Sequence, residues 1–263
     1  MISLMQLLKE AVGGPKAIIL AGAPGAGKGY VLKGLDLGGI KVLNVDNTFV
    51  NMLKQANVSL DLKNATPDER SEQAKQMAAA NKEFKGELQN VIDGKQSFIL
   101  DGTAASYNNT VKLKDQLEEA GYDVFMLYVY TDLERSLKQN QDRFEKSGGE
   151  DRSLAPAIVL STWNSVTKNF EPYQQMFGDN FVSVANTGEA MDDLEQIVTK
   201  YLDPYKPQNT IPKTEKEKIR SRAKKEQTNK EIQDLLSSDH LQNIISSSVE
   251  KEEAQSKISN FLK

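Results

Sequence analysis

Three observations predict an α/β fold, a parallel sheet with helices on both faces followed by a C-terminal helical extension. Five apolar segments, at 16–21, 40–45, 97–101, 124–130 and 180–185, alternate with segments of helical periodicity. The first runs directly into the glycine-rich turn Gly22-Ala23-Pro24-Gly25-Ala26-Gly27-Lys28-Gly29-Tyr30. No strand-like segment follows Pro204, where the composition becomes polar and basic. The division this suggests is a core over 1–203, a linker over 204–212 and a helical extension over 213–263.

The chain has 263 residues, 38% hydrophobic and 27% charged, enough for one substantial core. Its net charge of −4 gives no general reason to bind nucleic acid through a broad positive face. Cysteine is absent and His240 is the single histidine, which excludes disulfides, thiolate chemistry and Cys/His metal centres. Residues 1–8 are too short for a secretory core, and no stretch is long enough to span a bilayer. A cytoplasmic setting without membrane contact is therefore expected.

Residues 3–11 have the spacing of a short amphipathic helix, ended by Gly13-Gly14-Pro15. After the glycine-rich turn a short helix is interrupted by Gly34, Gly38 and Gly39. Ile40–Val45 reads as a buried parallel strand closing on Asp46. Thr66-Pro67-Asp68-Glu69 is a capping box that starts a long helix reaching about Val91. Ser97-Phe98-Ile99-Leu100-Asp101 is a strand ending in a carboxylate, and a helix follows over 108–120. Val124–Tyr130 is the most apolar run and reads as a central strand. Thr131-Asp132-Leu133-Glu134 starts a helix carrying Arg135 and Arg143, which are eight residues apart and can share a face. One helix is expected over 156–176, with Trp163 as packing, then a strand at 180–185 and a helix at 188–202. Beyond the linker, two helices split near Ser237-Ser238-Asp239, either clasping the core or docking on another chain. Between Lys213 and Lys230 there are 8 basic and 3 acidic residues, the pattern of a solvated helix face. His240 reads as an ordinary surface residue.

The turn at 22–30 has the order of parts that a phosphate-binding loop requires, a strand, then glycines and a lysine, then a helix. Its backbone N–H groups would cradle the phosphates and Lys28 would supply a point charge, so a nucleotide bound by its β- and γ-phosphates is expected. In a parallel sheet the carboxyl ends of the strands share one rim, which would bring Asp46 and Asp101 beside the loop. Two carboxylates next to a polyphosphate repel it unless a cation or a proton transfer makes use of them. Asp101 suits a Mg²⁺ ion and Asp46 suits accepting a proton from an attacking hydroxyl, although spacing alone allows the exchange. Arg143 and Arg152 can neutralise a transferring phosphoryl group, with Arg152 on a loop able to close over the nucleotide. The long helix at 67–91 and the loop after Gly102 would shape the acceptor pocket.

Asn44-Val45-Asp46-Asn47, Phe98-Ile99-Leu100-Asp101-Gly102-Thr103 and Leu117–Val124 resemble the zeta-toxin and polynucleotide-kinase group of P-loop kinases. The resemblance continues through Asp132-Leu133-Glu134-Arg135-Ser136, Asp142-Arg143-Phe144 and Gly148-Gly149-Glu150-Asp151-Arg152. It covers roughly residues 15–200 and implies the P-loop NTPase fold, with five parallel strands in the order 2-3-1-4-5. It also implies phosphorylation of a hydroxyl by ATP or GTP. Lys28 matches the group's phosphate-loop lysine, Asp46 its general base, Asp101 the acid of its Glu-Gly-Thr segment, and Arg143 and Arg152 its phosphate-binding arginines. Acceptors within the group are amino-sugar nucleotides, nucleic-acid 5′ ends and small metabolites. A nucleic-acid end is the less favoured of these here.

Two features depart from the pattern. Gly29 stands where Ser or Thr usually touches Mg²⁺, so the metal would be held through water and Asp101. The tail from Lys213 matches nothing in the group, and its apolar stripe suggests a protein partner or self-association. The alternative function is a nucleotide-binding interaction protein, weakly active or inactive, that assembles through this tail. A small phosphotransferase carried by a phage fits the mixture.

Overall fold

The computed structural model describes residues 14–33, 40–187 and 214–262. The expected helices at 3–11 and 188–202, the glycines at 34–39 and the linker at 204–212 lie outside the described residues. Strands β1 (Lys16–Ala21), β2 (Lys41–Leu43), β3 (Phe98–Asp101), β4 (Asp123–Tyr130) and β5 (Phe181–Ala185) form one all-parallel sheet. Their order is β2-β3-β1-β4-β5, the order implied by the resemblance. Leu20 of β1 lies between Asp101 of β3 and Leu127 of β4, so β1 is the middle strand and delivers the glycine-rich turn to the centre of the rim.

The helices are α1 (Lys28–Leu32), α2 (Val45–Gln55), α3 (Pro67–Asp93), α4 (Tyr107–Glu119), α5 (Leu133–Lys146), α6 (Pro156–Lys168) and α7 (Phe170–Phe177). The tail adds α8 (Glu215–Leu236), α9 (His240–Ser246) and α10 (Lys251–Leu262). The capping box at Thr66 and Glu69 forms as expected. None of the helices among the described residues is long and apolar enough to cross a membrane.

Alternate residues of the strands feed the two faces of the sheet. Ala17, Ile19, Phe98, Met126 and Tyr128 pack with Trp163, Phe170 and Tyr173. Ile18, Leu20, Ile99, Phe125, Leu127 and Val184 pack on the opposite side with Val31 of α1. The tail contributes to both layers, Ile232 and Ile244 to the first and Ala254 and Ile258 to the second. It clasps its own core.

Four expectations are corrected. The run at 40–45 is not a buried strand: β2 is at the edge of the sheet with Lys41 and Val42 exposed, and Lys41 pairs with Glu87 of α3 at 2.7 Å. It also stops early, because the Asn44 side chain accepts from the Asp46 amide at 2.8 Å and caps α2, so Asp46 lies in the first helical turn. The helix expected over 156–176 breaks at Asn169, whose side chain donates to Ala105 O at 3.1 Å. The tail breaks a second time between Ser247 and Glu250, where the Val249 amide leaves the helix to bond Ser183 O at 2.8 Å.

His240 is also not a free surface residue. Its Nε2 lies 2.8 Å from Thr167 O and ties α9 to the end of α6. Trp163 is buried, and its Nε1 donates to Thr131 O at 2.8 Å.

Candidate active site

The loop between β1 and α1 is held from outside by three elements. The Gly22 amide donates to Thr103 O at 3.1 Å, Ser136 Oγ to Pro24 O at 2.6 Å, and Asn186 Nδ2 to Ala26 O at 2.9 Å. Gly25 and Gly27 have φ of +77° and +90°, a conformation that L side chains rarely adopt. A Cβ on Gly27 would lie 2.5 Å from Asn186 Nδ2, so the support that holds the loop also requires glycine there. Lys28 folds back over the loop and donates to Gly22 O at 3.0 Å. Burial pushes its pKa below the usual lysine value, against the raising effect of Asp101 and Asp46, while Arg143 and Arg152 lower it further.

Across from the loop, Asn44 Nδ2 donates to Asp101 Oδ2 at 2.7 Å while its Oδ1 accepts from the Asp46 amide. One asparagine therefore holds the Asp101 carboxylate and the backbone of Asp46 together. Sequence reasoning missed it, although an Asn two residues before an Asp at a helix start is a capping signal. Arg152 is ion-paired with Asp46, and Arg143 with Asp151. The loop carrying Arg152 is not a free flap. Ser153 is buried, its Oγ donates to Asp61 Oδ1 at 2.6 Å and accepts from the Lys63 amide at 3.1 Å, and its own amide donates to Leu60 O at 3.2 Å. Arg135 instead donates to Thr187 O at 2.8 Å and does not line the pocket.

Lys28, Asp46, Asp101, Arg143 and Arg152 all line one cavity of about 430 Å³. Pro24, Gly25, Ala26, Gly27 and Gly29 complete its phosphate-loop wall. Gly22 and Ala23 lie beneath that wall, where Gly22 offers its carbonyl to Lys28, and Tyr30 opens onto a different cavity. Gln139 and Asn140 of α5 also line the cavity and were not foreseen.

A second space of about 390 Å³ shares Asp46, Asn47, Arg143 and Arg152 with the first and extends along Val50 and Asn51 of α2 to Ser147 and Glu150. The expected contribution of the long helix is corrected here: α3 lines neither space, because it packs behind α2 through Phe49, Leu53 and Ala80. Among the described residues no group of three or more His, Cys, Asp or Glu side chains can hold a metal.

A parallel sheet of this order, with a lysine-bearing phosphate loop facing two carboxylates and two arginines, defines a nucleotide-dependent kinase of the P-loop class. The family model for Zeta toxin matches residues 4–196, and the chain belongs to that family. No curated protein sequence matches the chain. Among solved structures it is similar to AvrRxo1-ORF1:AvrRxo1-ORF2 with sulphate ions, at a TM-score of 0.53 and 14% identity over 96% of this chain and 82% of that one. It is similar also to AvrRxo1-ORF1:-ORF2 with ATP, at 0.51 and 15% over 97% and 83%. The PezAT chromosomal toxin-antitoxin system of the human pathogen Streptococcus pneumoniae matches at 0.47 and 16% over 86% and 92%. At these identities the likeness is one of fold.

Proposed function

We propose that the protein transfers the γ-phosphoryl group of ATP or GTP to a hydroxyl of a small, polar acceptor such as a sugar, sugar nucleotide or polyol. The observation that carries this is the convergence of Lys28, Asp46, Asp101, Arg143 and Arg152 on one cavity. Lys28 and the loop amides hold the β- and γ-phosphates. Arg152 exchanges its ion pair with Asp46 for the incoming phosphate, which frees the Asp46 carboxylate to take the acceptor proton. Arg143 adds positive charge on the side where the phosphoryl group leaves the donor.

The acceptor enters through the second space. No aromatic side chain lines it among the described residues, so hydrogen bonds from groups such as Asn47, Asn51 and Ser147 hold the acceptor rather than base stacking. This favours a polyhydroxylated acceptor over a nucleic-acid end. The donor set fits Mg²⁺ in the manner usual for that ion, with one carboxylate, Asp101, and the rest of its shell from phosphates and water. Bound there, it would neutralise charge on the phosphates. A protein partner fits the exposed first half of α8, where Lys216, Arg220, Arg222, Lys224 and Lys225 are solvent-facing.

The test is transfer from γ-labelled ATP and GTP to a panel of sugars, sugar nucleotides, nucleosides and 5′-hydroxyl oligonucleotides. Asp46→Asn is expected to lower turnover by about 10²–10⁴-fold. Nucleotide affinity should hold or rise, since the variant removes the anion that competes for Arg152. Equal turnover by the two proteins would remove Asp46 from its role.

A further inference from the structure

Helices α6 and α8 are tied together at Glu231, whose carboxylate accepts from Asn164 Nδ2 at 2.9 Å and from Lys168 Nζ at 2.6 Å. Nearer their amino ends a cavity of about 570 Å³ lies between them, used by nothing in the phosphoryl-transfer reading. Ile158 and Leu160 of α6 form one wall, and Lys224, Lys225 and Thr228 of α8 form the other. Leu160 is buried, whereas Ile158 is 52% exposed, so a large apolar side chain stands in water in a cavity that also carries two lysines.

The charge of α8 is local. Residues 213–230 hold 8 basic and 3 acidic side chains in a chain whose net charge is −4, so the remainder of the molecule is acidic. Lys216, Arg220 and Lys224 follow one another at four-residue spacing, at which like charges on a helix repel. Arg220, Arg222, Lys224 and Lys225 are exposed and make no ion pair among the described residues. The helix therefore keeps a row of cations at a cost to its own stability, and an acidic surface laid against them would remove that cost.

A nucleic acid would use these cations but leave Ile158 in water, and it would find no aromatic ring among the described residues of the cavity on which to stack a base. An apolar wall facing a cationic one instead matches an amphipathic helix with acidic flanks. Its apolar stripe would anchor on Ile158 and Leu160 while its carboxylates meet Lys224 and Lys225. We propose that the space between α6 and α8 docks an acidic amphipathic helix of another protein. The proposal rests on the reading that α8 meets a protein partner, and adds the chemistry of that partner and the place where it sits. The cationic wall lies outside the family-matched residues 4–196, so the docking surface is made by the C-terminal extension.

The experiment titrates the full chain into a fluorescent peptide of about 18 residues, with leucine at the spacing i, i+3, i+4, i+7 and glutamate on the flanks, and follows anisotropy. The same peptide with lysine for glutamate, and a labelled DNA duplex, are the competing probes. The wild type is expected to bind the acidic peptide about ten-fold more tightly than either, and more weakly as salt rises. Lys224→Glu and Ile158→Glu should each weaken it about ten-fold, while Lys82→Glu, at an exposed site on α3, should leave it within about two-fold. The free Lys224→Glu protein should melt no lower than the wild type, because the exchange turns a repulsive pair with Arg220 into an attractive one. A lower melting temperature in that variant, or acidic-peptide binding that neither substitution weakens, would overturn the proposal. Tighter binding of the basic peptide would overturn the acidic partner but keep a protein partner on α8. Binding of the duplex alone, or of no probe, would overturn both.

Discussion

Burial and neighbouring charge oppose one another at Lys28, and the balance has two consequences of opposite sign. Burial lowers its pKa below 10.5, and Asp101 and Asp46 only partly restore it. The unfolded chain therefore binds more protons between the lowered value and 10.5, and the stability of the nucleotide-free protein rises with pH across that window. Polyphosphate favours the protonated amine, so nucleotide affinity falls over the same window. Calorimetry in buffers of different ionisation enthalpy should show proton uptake on binding, and Lys28→Met should abolish it along with most of the affinity. Lys28 was legible in sequence because a lysine after a glycine-rich turn has one common physical use. Asn44 was not, since its importance lies in touching Asp46 and Asp101 together, and Asp101 is 57 positions away.

At the scale of elements, the segment carrying Arg152 decides how the site is held. Ser153 bridges it to the loop before α3 through Asp61 and the Lys63 amide. Burial pushes the Asp61 carboxyl up, but hydrogen bonds from Ser153 and Asn64 outweigh this and hold it below its ordinary value. Its contribution to stability is present above pH 3.8 and is lost as pH falls through the lowered value. Ser153→Ala is expected to cost about 1–2 kcal/mol in urea denaturation. It should also reduce turnover with little change in nucleotide affinity, since it disturbs Arg152 and leaves the phosphate loop intact. A rigid anchor was unreadable beforehand: glycines at 148 and 149 suggest a flap, and the contact that restrains it joins residues 92 apart. In contrast, α3 was read almost to its ends, because Thr66, Pro67 and Glu69 state its start locally.

For the whole molecule, the tail is structural as well as peripheral. Phe261 packs on Phe125 at 4.9 Å between ring centroids, and Lys16 lies over the same ring at 5.0 Å. Ile258 is fully buried against the sheet. Ile258→Ala is expected to destabilise the protein by about 2–5 kcal/mol, with one cooperative transition in chemical denaturation. A tail that were only an appendage would melt separately and leave the main transition unmoved. On the other face, Lys168 and Asn164 hold the Glu231 carboxylate at a pKa of about 2, which ties α8 to α6.

The sequence by itself determined the five strands, the phosphate loop, most helix starts and the set of charged residues that meet at the rim. These follow from local chemistry: apolar periodicity, caps, and glycines where the backbone requires them. The tertiary structure decided that β2 is an edge strand, that Asp46 belongs to a helix, that Arg152 is anchored, and that the tail closes over both faces of its own sheet. Each depends on which distant side chain fills a given space or accepts a given hydrogen bond, and no local pattern of residues encodes that.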